Sequence, residues 1–210
     1  MVMKNFCRYL SGTAFRPNAT FHALQADPKR VSKSFKAILL IGILYTITVV
    51  MLAAAGALIP APAFLSLSPE NYYFCEMFFA LPVMVLAWIL AAGFVQLLSR
   101  WGKGSGTFEG TLAAMGFAVT VPFFLTWIPE TAFAVLLNLG MRQEEFMDLW
   151  TKPGFLQAFA VAYQIVAAVW IFLLITIAVG VSQRMKWRRA IPIGLLTTIL
   201  FLAVLIVFIR

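Results

Sequence analysis

"MFFALPVMVLAWILAAGFVQLL", Met77 to Leu98, runs for 22 residues without one charged side chain. A helix rises 1.5 Å per residue, so about 20 such residues match a hydrocarbon core of roughly 30 Å. In lipid every backbone N–H and C=O must be bonded within the chain, which leaves only helices or closed barrels. Barrel strands alternate apolar and polar residues, and this stretch does not. It reads as a transmembrane helix.

Four further runs share its character: Ala37 to Ile59, Thr111 to about Leu137, Phe155 to Val181 and Ala190 to Ile209. The whole chain is 62% hydrophobic and 11% charged, where soluble domains have roughly a quarter of their residues charged. Its mean hydropathy is +0.93, and a soluble fold of 210 residues has no means of hiding that much apolar surface. The third and fourth runs exceed one bilayer thickness and must tilt, kink or protrude. Pro122 and Pro129 each remove an intrahelical bond from the third. Its span is therefore expected to end near Ile128, with Glu130 to Leu139 forming a separate outer-surface or re-entrant helix. The predicted fold class is all-α: a polytopic membrane protein with a five-transmembrane-helix bundle. Its spans are expected at about 37–59, 77–98, 111–128, 155–181 and 190–209, within a membrane domain of residues 37–210.

Lysine and arginine set the orientation. Thirteen of the sixteen fall before the first span, between spans two and three, or between four and five. Only Arg142, Lys152 and Arg210 fall on the other side. Positive loops stay cytoplasmic, so the N-terminus is expected inside and the C-terminus outside. Trp101 and Trp187 fall at expected inner boundaries, and Trp127 and Trp150 near the outer one, where indole rings prefer to lie. Trp88 and Trp170 fall mid-span and are read as helix packing. "APA" at Ala61 to Ala63 resembles a signal-cleavage site, but a leader of over thirty residues precedes the first span, which is itself longer than a usual signal core, so an uncleaved anchor is expected. Cys7 and Cys75 lie on opposite sides in this topology and form neither a disulfide nor a metal framework.

Residues 1–36 form a basic, amphipathic leader. Met3, Phe6, Cys7 and Leu10 repeat at helical spacing, with Lys4, Asn5 and Arg8 opposite, which suits a short helix in the headgroup plane. A second short helix after Pro17 is expected to bury Phe21 and Leu24. In "DPKRVSKSFK", Asp27 is read as a helix cap and Pro28 as the first helical residue. Lys29, Arg30, Lys33 and Lys36 just before the first span, and Arg184, Lys186, Arg188 and Arg189 before the last, are candidate contacts for anionic lipid headgroups or a protein partner, since each cation near an anionic leaflet contributes about 1 kcal/mol. The alternative is that these charges only set topology. Membrane sidedness accounts for the pI of 9.9 without nucleic acid.

"WGKGSGTFEGTLAAMG", Trp101 to Gly116, raises the question of a phosphate cradle. A P-loop reads G-x-x-x-x-G-K-[ST] after a strand, whereas here Lys103 precedes most of the glycines and follows a membrane helix. G-x-G-x-x-G fails as well, because Gly102 and Gly104 are followed by Thr107. The loop reads as a tight re-entry turn, with Thr107 capping the next helix and Glu109 in its first turn. Gly110, Ala114 and Ala118 then form a small-residue stripe that lets a neighbouring helix approach closely, either in the same chain or in a second copy.

"GKGSGTFEGTLAAMGFAVTVP" resembles the G-K-G-S-F-x-G-T segment of the Yip family, the Ypt/Rab-GTPase-interacting membrane proteins. "RPNATFHALQADP" is similar to that family's approach to its first span, and "AVWIFLLITIAVGVSQRMKWRRA" to its late span and the basic turn after it. The resemblance implies a five-span protein that organises membranes or recruits partners, without known catalysis. The family's eukaryotic members carry a long cytosolic N-terminal region and an acidic signature bearing tyrosine, glycine and proline. Neither is present, so the resemblance points to a bacterial-type member of an inner (plasma) membrane and does not extend to GTPase binding.

No catalytic, cofactor or metal set can be assembled from the spans. His22 is the only histidine and sits in the leader, whereas catalytic zinc takes three protein ligands. An enzyme is not expected. A transporter or channel for a small solute, ion or lipid is the second reading, motivated by Pro122, Pro129 and Glu130 as a broken helix lining a cavity with Gln164. The near absence of intramembrane charge weighs against it.

Overall fold

The computed structural model describes residues 2–59 and 64–209, the first four of these as backbone only. Ala61 to Ala63, Arg210 and the side chains of Met3, Lys4 and Asn5 lie outside the described residues. Eight α-helices follow one another: α1 Val2–Phe15, α2 Pro17–Gln25, α3 Arg30–Ala54, α4 Tyr72–Trp101, α5 Phe108–Asn138, α6 Gln143–Thr151, α7 Phe155–Ser182 and α8 Trp187–Phe208. No strand occurs among the described residues. Helices α3, α4, α5, α7 and α8 are long and apolar enough to cross a membrane, as the sequence leads one to expect.

α5 is the centre of the bundle, packing on α3, α4 and α7, while α8 closes against α4 and α7. Its sequence explains this place. From Gly110 to Pro122 only Leu112 is not fully buried, and the run is rich in Gly and Ala, so neighbouring backbones come close. The stripe Gly110, Ala114 and Ala118 is buried within this one chain. At Gly116 a Cβ would overlap the Ser34 hydroxyl of α3. Beside it the Leu112 carbonyl accepts from the Trp88 indole N–H at 2.8 Å and the Ser34 hydroxyl at 3.3 Å. Trp88 is thus a packing residue joining α4 to α5, and Trp170 packs half-buried on the same core.

Three expectations are corrected. First, α5 does not break: Pro122 and Pro129 lie inside one uninterrupted helix, so Glu130 to Leu139 is no separate element. Pro129 has no N–H for the Leu125 carbonyl four residues back, and the Tyr163 hydroxyl of α7 donates to that carbonyl instead. Neighbouring helices commonly re-satisfy such groups in membrane proteins. Second, the helix leading into the first span starts at Arg30 rather than Pro28, because Asp27 to Arg30 form a turn in which the Arg30 N–H bonds the Asp27 carbonyl at 3.1 Å. Third, Asp27 does not cap it. The cap position is Lys29, with no side-chain bond, and the Asp27 carboxylate accepts from the Lys29 N–H at 2.9 Å in the preceding turn.

The sequence reading contained no counterpart of α6. Phe146 stacks on Phe133 of α5 at 4.3 Å. Gln143 closes a two-way bridge to Leu58, accepting from its N–H at 2.8 Å and donating to its carbonyl at 2.7 Å. This ties α6 to the loop after α3.

Candidate functional site

The start of α3, the end of α4, the start of α5, the end of α7 and the start of α8 meet at one end of the bundle, which carries most of the cations. α4 and α7 finish there in the same way. Gly104 N–H bonds the Ser99 carbonyl at 2.8 Å and Lys103 N–H the Arg100 carbonyl at 3.4 Å; Met185 N–H bonds Gly180 at 2.9 Å and Arg184 N–H bonds Val181 at 3.3 Å. This is the Schellman pattern, whose pivotal residue takes a left-handed conformation and is usually glycine. Here the pivots are cations: Lys103 has φ 59° and Arg184 φ 52°.

The glycine loop lies directly on the end of α7. Ser105 N–H donates to the Gln183 carbonyl at 3.1 Å. The buried Gln183 side chain reaches inward, donating to Gln96 at 2.7 Å and to the Thr111 hydroxyl at 2.5 Å. Gln96 returns a bond to the Gly106 carbonyl at 3.3 Å. A Cβ on Gly106 would lie 2.8 Å from the Ser182 carbonyl carbon, and one on Gly104 would lie 2.9 Å from Ser99 Cβ, so glycine is required by close approach. Thr107 caps α5 as its position suggests, accepting from Gly110 N–H at 3.1 Å. With the amides of Gly104, Ser105 and Gly110 bonded internally, the loop is a lock between helices and does not cradle a phosphate.

The leader is docked on this end. Phe21 and Leu24 of α2 are fully buried, as expected. Phe6 and Tyr9 of α1 pack on Phe117 of α5 at ring distances of 6.1 and 5.8 Å. Much of the apolar face assigned to the headgroup plane therefore contacts protein, while Cys7 is exposed and unpaired. Gln25 donates to the Gly110 carbonyl at 2.8 Å and accepts through its own carbonyl from Arg30 at 2.6 Å. A charged knot completes the dock. Asp27 pairs with the Lys33 ammonium and accepts from the Tyr9 hydroxyl at 2.9 Å, and Lys33 sits over the Tyr9 ring. Burial alone would push the Asp27 carboxyl upward, but Lys33, the Lys29 N–H and Tyr9 more than reverse this and hold it below the usual carboxylate range. Tyr9 is pushed up to about 12 by burial and by its bond to Asp27.

Two of the eight candidate cations are thereby used inside the protein. Lys33 is buried because it opens the inward stripe that continues through Ala37, Ile41 and Tyr45. Arg30 is half-buried against Gln25 and lies 3.9 Å from Glu109. Lys29, Lys36, Arg184, Lys186, Arg188 and Arg189 remain exposed, the last donating to the Gly102 carbonyl at 3.1 Å.

At the opposite end the structure assembles a polar cluster that spacing did not reveal. Glu76 is fully buried and accepts from the Tyr45 hydroxyl at 3.3 Å, and Glu130 lies beside the same tyrosine. One turn on, the Thr48 hydroxyl bonds Thr131 at 2.7 Å and accepts from the Trp127 indole at 3.0 Å. Glu130 therefore belongs to a packed helix contact, and Gln164 lies exposed on α7, so Pro122, Pro129, Glu130 and Gln164 do not come together as a broken-helix site. The available signal was the i, i+3 spacing of Tyr45 with Thr48 and of Tyr73 with Glu76, which puts each pair on one helix face. No group of three or more His, Cys, Asp or Glu placed to hold a metal occurs among the described residues.

The family model of the Yip1 domain matches residues 11–209 of the chain. That span takes in the end of α1, α2 and all five long helices. The chain has no significant match among curated proteins or among solved structures.

Proposed function

We propose that this chain, which belongs to the Yip1 domain family, is a non-enzymatic membrane organiser or partner recruiter whose working surface is its basic end. That end faces the cytosol of a bacterial-type cell, with the N-terminus inside and the C-terminus outside, because positive loops are retained there. One observation carries the reading. The leader, the glycine loop and the α7–α8 turn are joined into a single platform, and Lys29, Lys36, Lys186 and Arg188 project from it with no side-chain hydrogen bond or ion pair of their own among the described residues. A platform held by buried Gln25 and Gln183 presents charge at fixed spacing, which suits anionic headgroups or an acidic protein face. GTPase binding is not part of the proposal.

The test replaces Lys29, Lys36, Lys186 and Arg188 with glutamine, with orientation verified by a reporter after Arg210. Cross-linked partners from native membranes and the clustering of anionic lipid around the reconstituted protein are then compared with the parent. Loss of either supports the proposal. If neither changes, the cations serve only to orient the chain.

A further inference from the structure

Between α2 and the end of α7 the basic end contains a cleft of about 580 Å³, lined by Asn18 and His22 from α2, Ile177 and Gly180 from α7, and Arg184 and Trp187 beyond it. We propose that this cleft binds the phosphate of one anionic glycerophospholipid, whose acyl chain runs along α7. The inference deepens the proposed working surface and rests on it for the claim that this end meets an anionic leaflet.

The helix phase carries the argument. Val166, Val169, Leu173, Ile177 and Gly180 step by three or four along α7, so they lie on one face, and Arg184 lines the cleft just beyond the end of that helix. Val166, Val169 and Leu173 are 59%, 50% and 39% exposed, which makes the stripe an outward apolar track. From Val166 to Ile177 the helix rises about 16 Å, close to one leaflet of a hydrocarbon core of about 30 Å. The track stops at the cleft, where the lining turns polar. Asn18 and His22 are four apart on the exposed flank of α2, so both look into the space above the track. Trp187, half exposed at the start of α8, stands at the depth where indoles meet the glycerol region. Among the described residues the only charged side chain in the lining is Arg184, and no carboxylate lines it, so the cleft favours an anion.

Arg184 also occupies a backbone position suited to glycine, with φ 52°. A guanidinium offers a planar fork of donors that matches phosphate oxygens.

The same position supplies the test. Arg184→Gly removes the guanidinium while relaxing the backbone, so the variant is expected to fold and to unfold at a temperature no lower than the parent. Full-length protein is purified with phosphatidylglycerol or phosphatidylcholine, delipidated by detergent washing, and its retained lipid counted by native mass spectrometry. The parent is expected to retain one phosphatidylglycerol and no phosphatidylcholine. Arg184→Gly is expected to weaken retention about tenfold, the order for one charge-assisted hydrogen bond, and His22→Gln less. Arg142→Gln with Lys152→Gln, cations outside the basic end that pair locally with Glu144 and Asp148, is expected to leave retention unchanged. Undiminished retention in Arg184→Gly overturns the proposal, as does equal loss in the Arg142/Lys152 variant or equal retention of phosphatidylcholine. Displacement of the lipid by millimolar inorganic phosphate would overturn the lipid as occupant. Retention in detergent depends on neither orientation nor partners, so it stands or fails apart from the cross-linking test.

Discussion

Tyr163→Phe is expected to cost this protein about 1 kcal/mol of stability, and only while residue 129 is proline. The Leu125 carbonyl would ordinarily accept from the residue 129 N–H, which proline lacks, and the Tyr163 hydroxyl takes that place. Leaving a buried acceptor empty costs about 1–3 kcal/mol in water-soluble folds. Hydrogen bonds between membrane helices measure nearer 0.6, with a maximum of about 1.7. Both residues are half-buried, so a value near 1 is appropriate. In a Pro129→Ala background the alanine N–H restores the intrahelical bond, and the same tyrosine change should then cost no more than a few tenths. The four proteins form a double-mutant cycle, read by reversible unfolding in mixed micelles as the denaturing detergent fraction is raised. A coupling near 1 kcal/mol is expected, above the roughly 0.3–0.5 kcal/mol within which independent sites add. Equal tyrosine costs in both backgrounds would refute the claim that α7 repairs the proline gap in α5.

The knot of Asp27, Lys33 and Tyr9 should respond in the same quantitative way. Lys33→Met is expected to loosen α1 by about 3 kcal/mol, the low end for breaking a buried pair, because Asp27 keeps the Lys29 amide and Tyr9; hydrogen exchange of the α1 amides should accelerate more than a hundredfold. The pH dependence has two edges. Asp27 is held below its ordinary 3.8, so its contribution is complete above that value and fades as pH falls through the lower folded one. Tyr9 is raised from 10.0 to about 12, so its contribution is complete below 10 and fades as pH climbs toward 12; exchange of α1 should be slowest between the two edges. Gly106→Ala should force the glycine loop off α7, losing the Ser105–Gln183 and Gln96–Gly106 bonds, at about 2 kcal/mol for two neutral bonds, read as a lower unfolding midpoint. Lys103→Gly should do the reverse, raising that midpoint by about 1 kcal/mol through relief of the left-handed conformation.

Which of these features are legible in sequence depends on how far apart the cooperating residues lie. The five long helices follow from local properties: uncharged runs of bilayer length, and cations that alternate from loop to loop. Thr107 as a cap, the buried Phe21 and Leu24, and the stripe Gly110, Ala114 and Ala118 are also local. The errors have the opposite character. A proline break was expected at Pro129 because the compensating hydroxyl stands 34 residues away on another helix. Lys33 looked like any other surface cation of the leader, since only the phase of α3 against α5 decides that it faces inward. Glu76 stands immediately before an uncharged run with nothing local to bury it, and its place inside the bundle depends on Tyr45 across the helix interface.

The polar residues scattered through the spans make the same point about function. Gln96, Gln183 and Gln25 each look incidental within their own helices, and Gln183 sits at a helix end where solvent would satisfy it. Together they join α2, α4, α5 and α7 at one end of the bundle, and their bonds run to one another, to Gly106 of the glycine loop and to the first turn of α5. A bundle held only by lipid-facing apolar helices would leave those termini free to fray, because association in lipid has no hydrophobic driving force. Buried amides fix them instead. The physical consequence is that the positions of Lys29, Lys36, Arg184 and Lys186 relative to one another are set by the interior of the protein, and a surface of that kind can recognise a spacing as well as a charge.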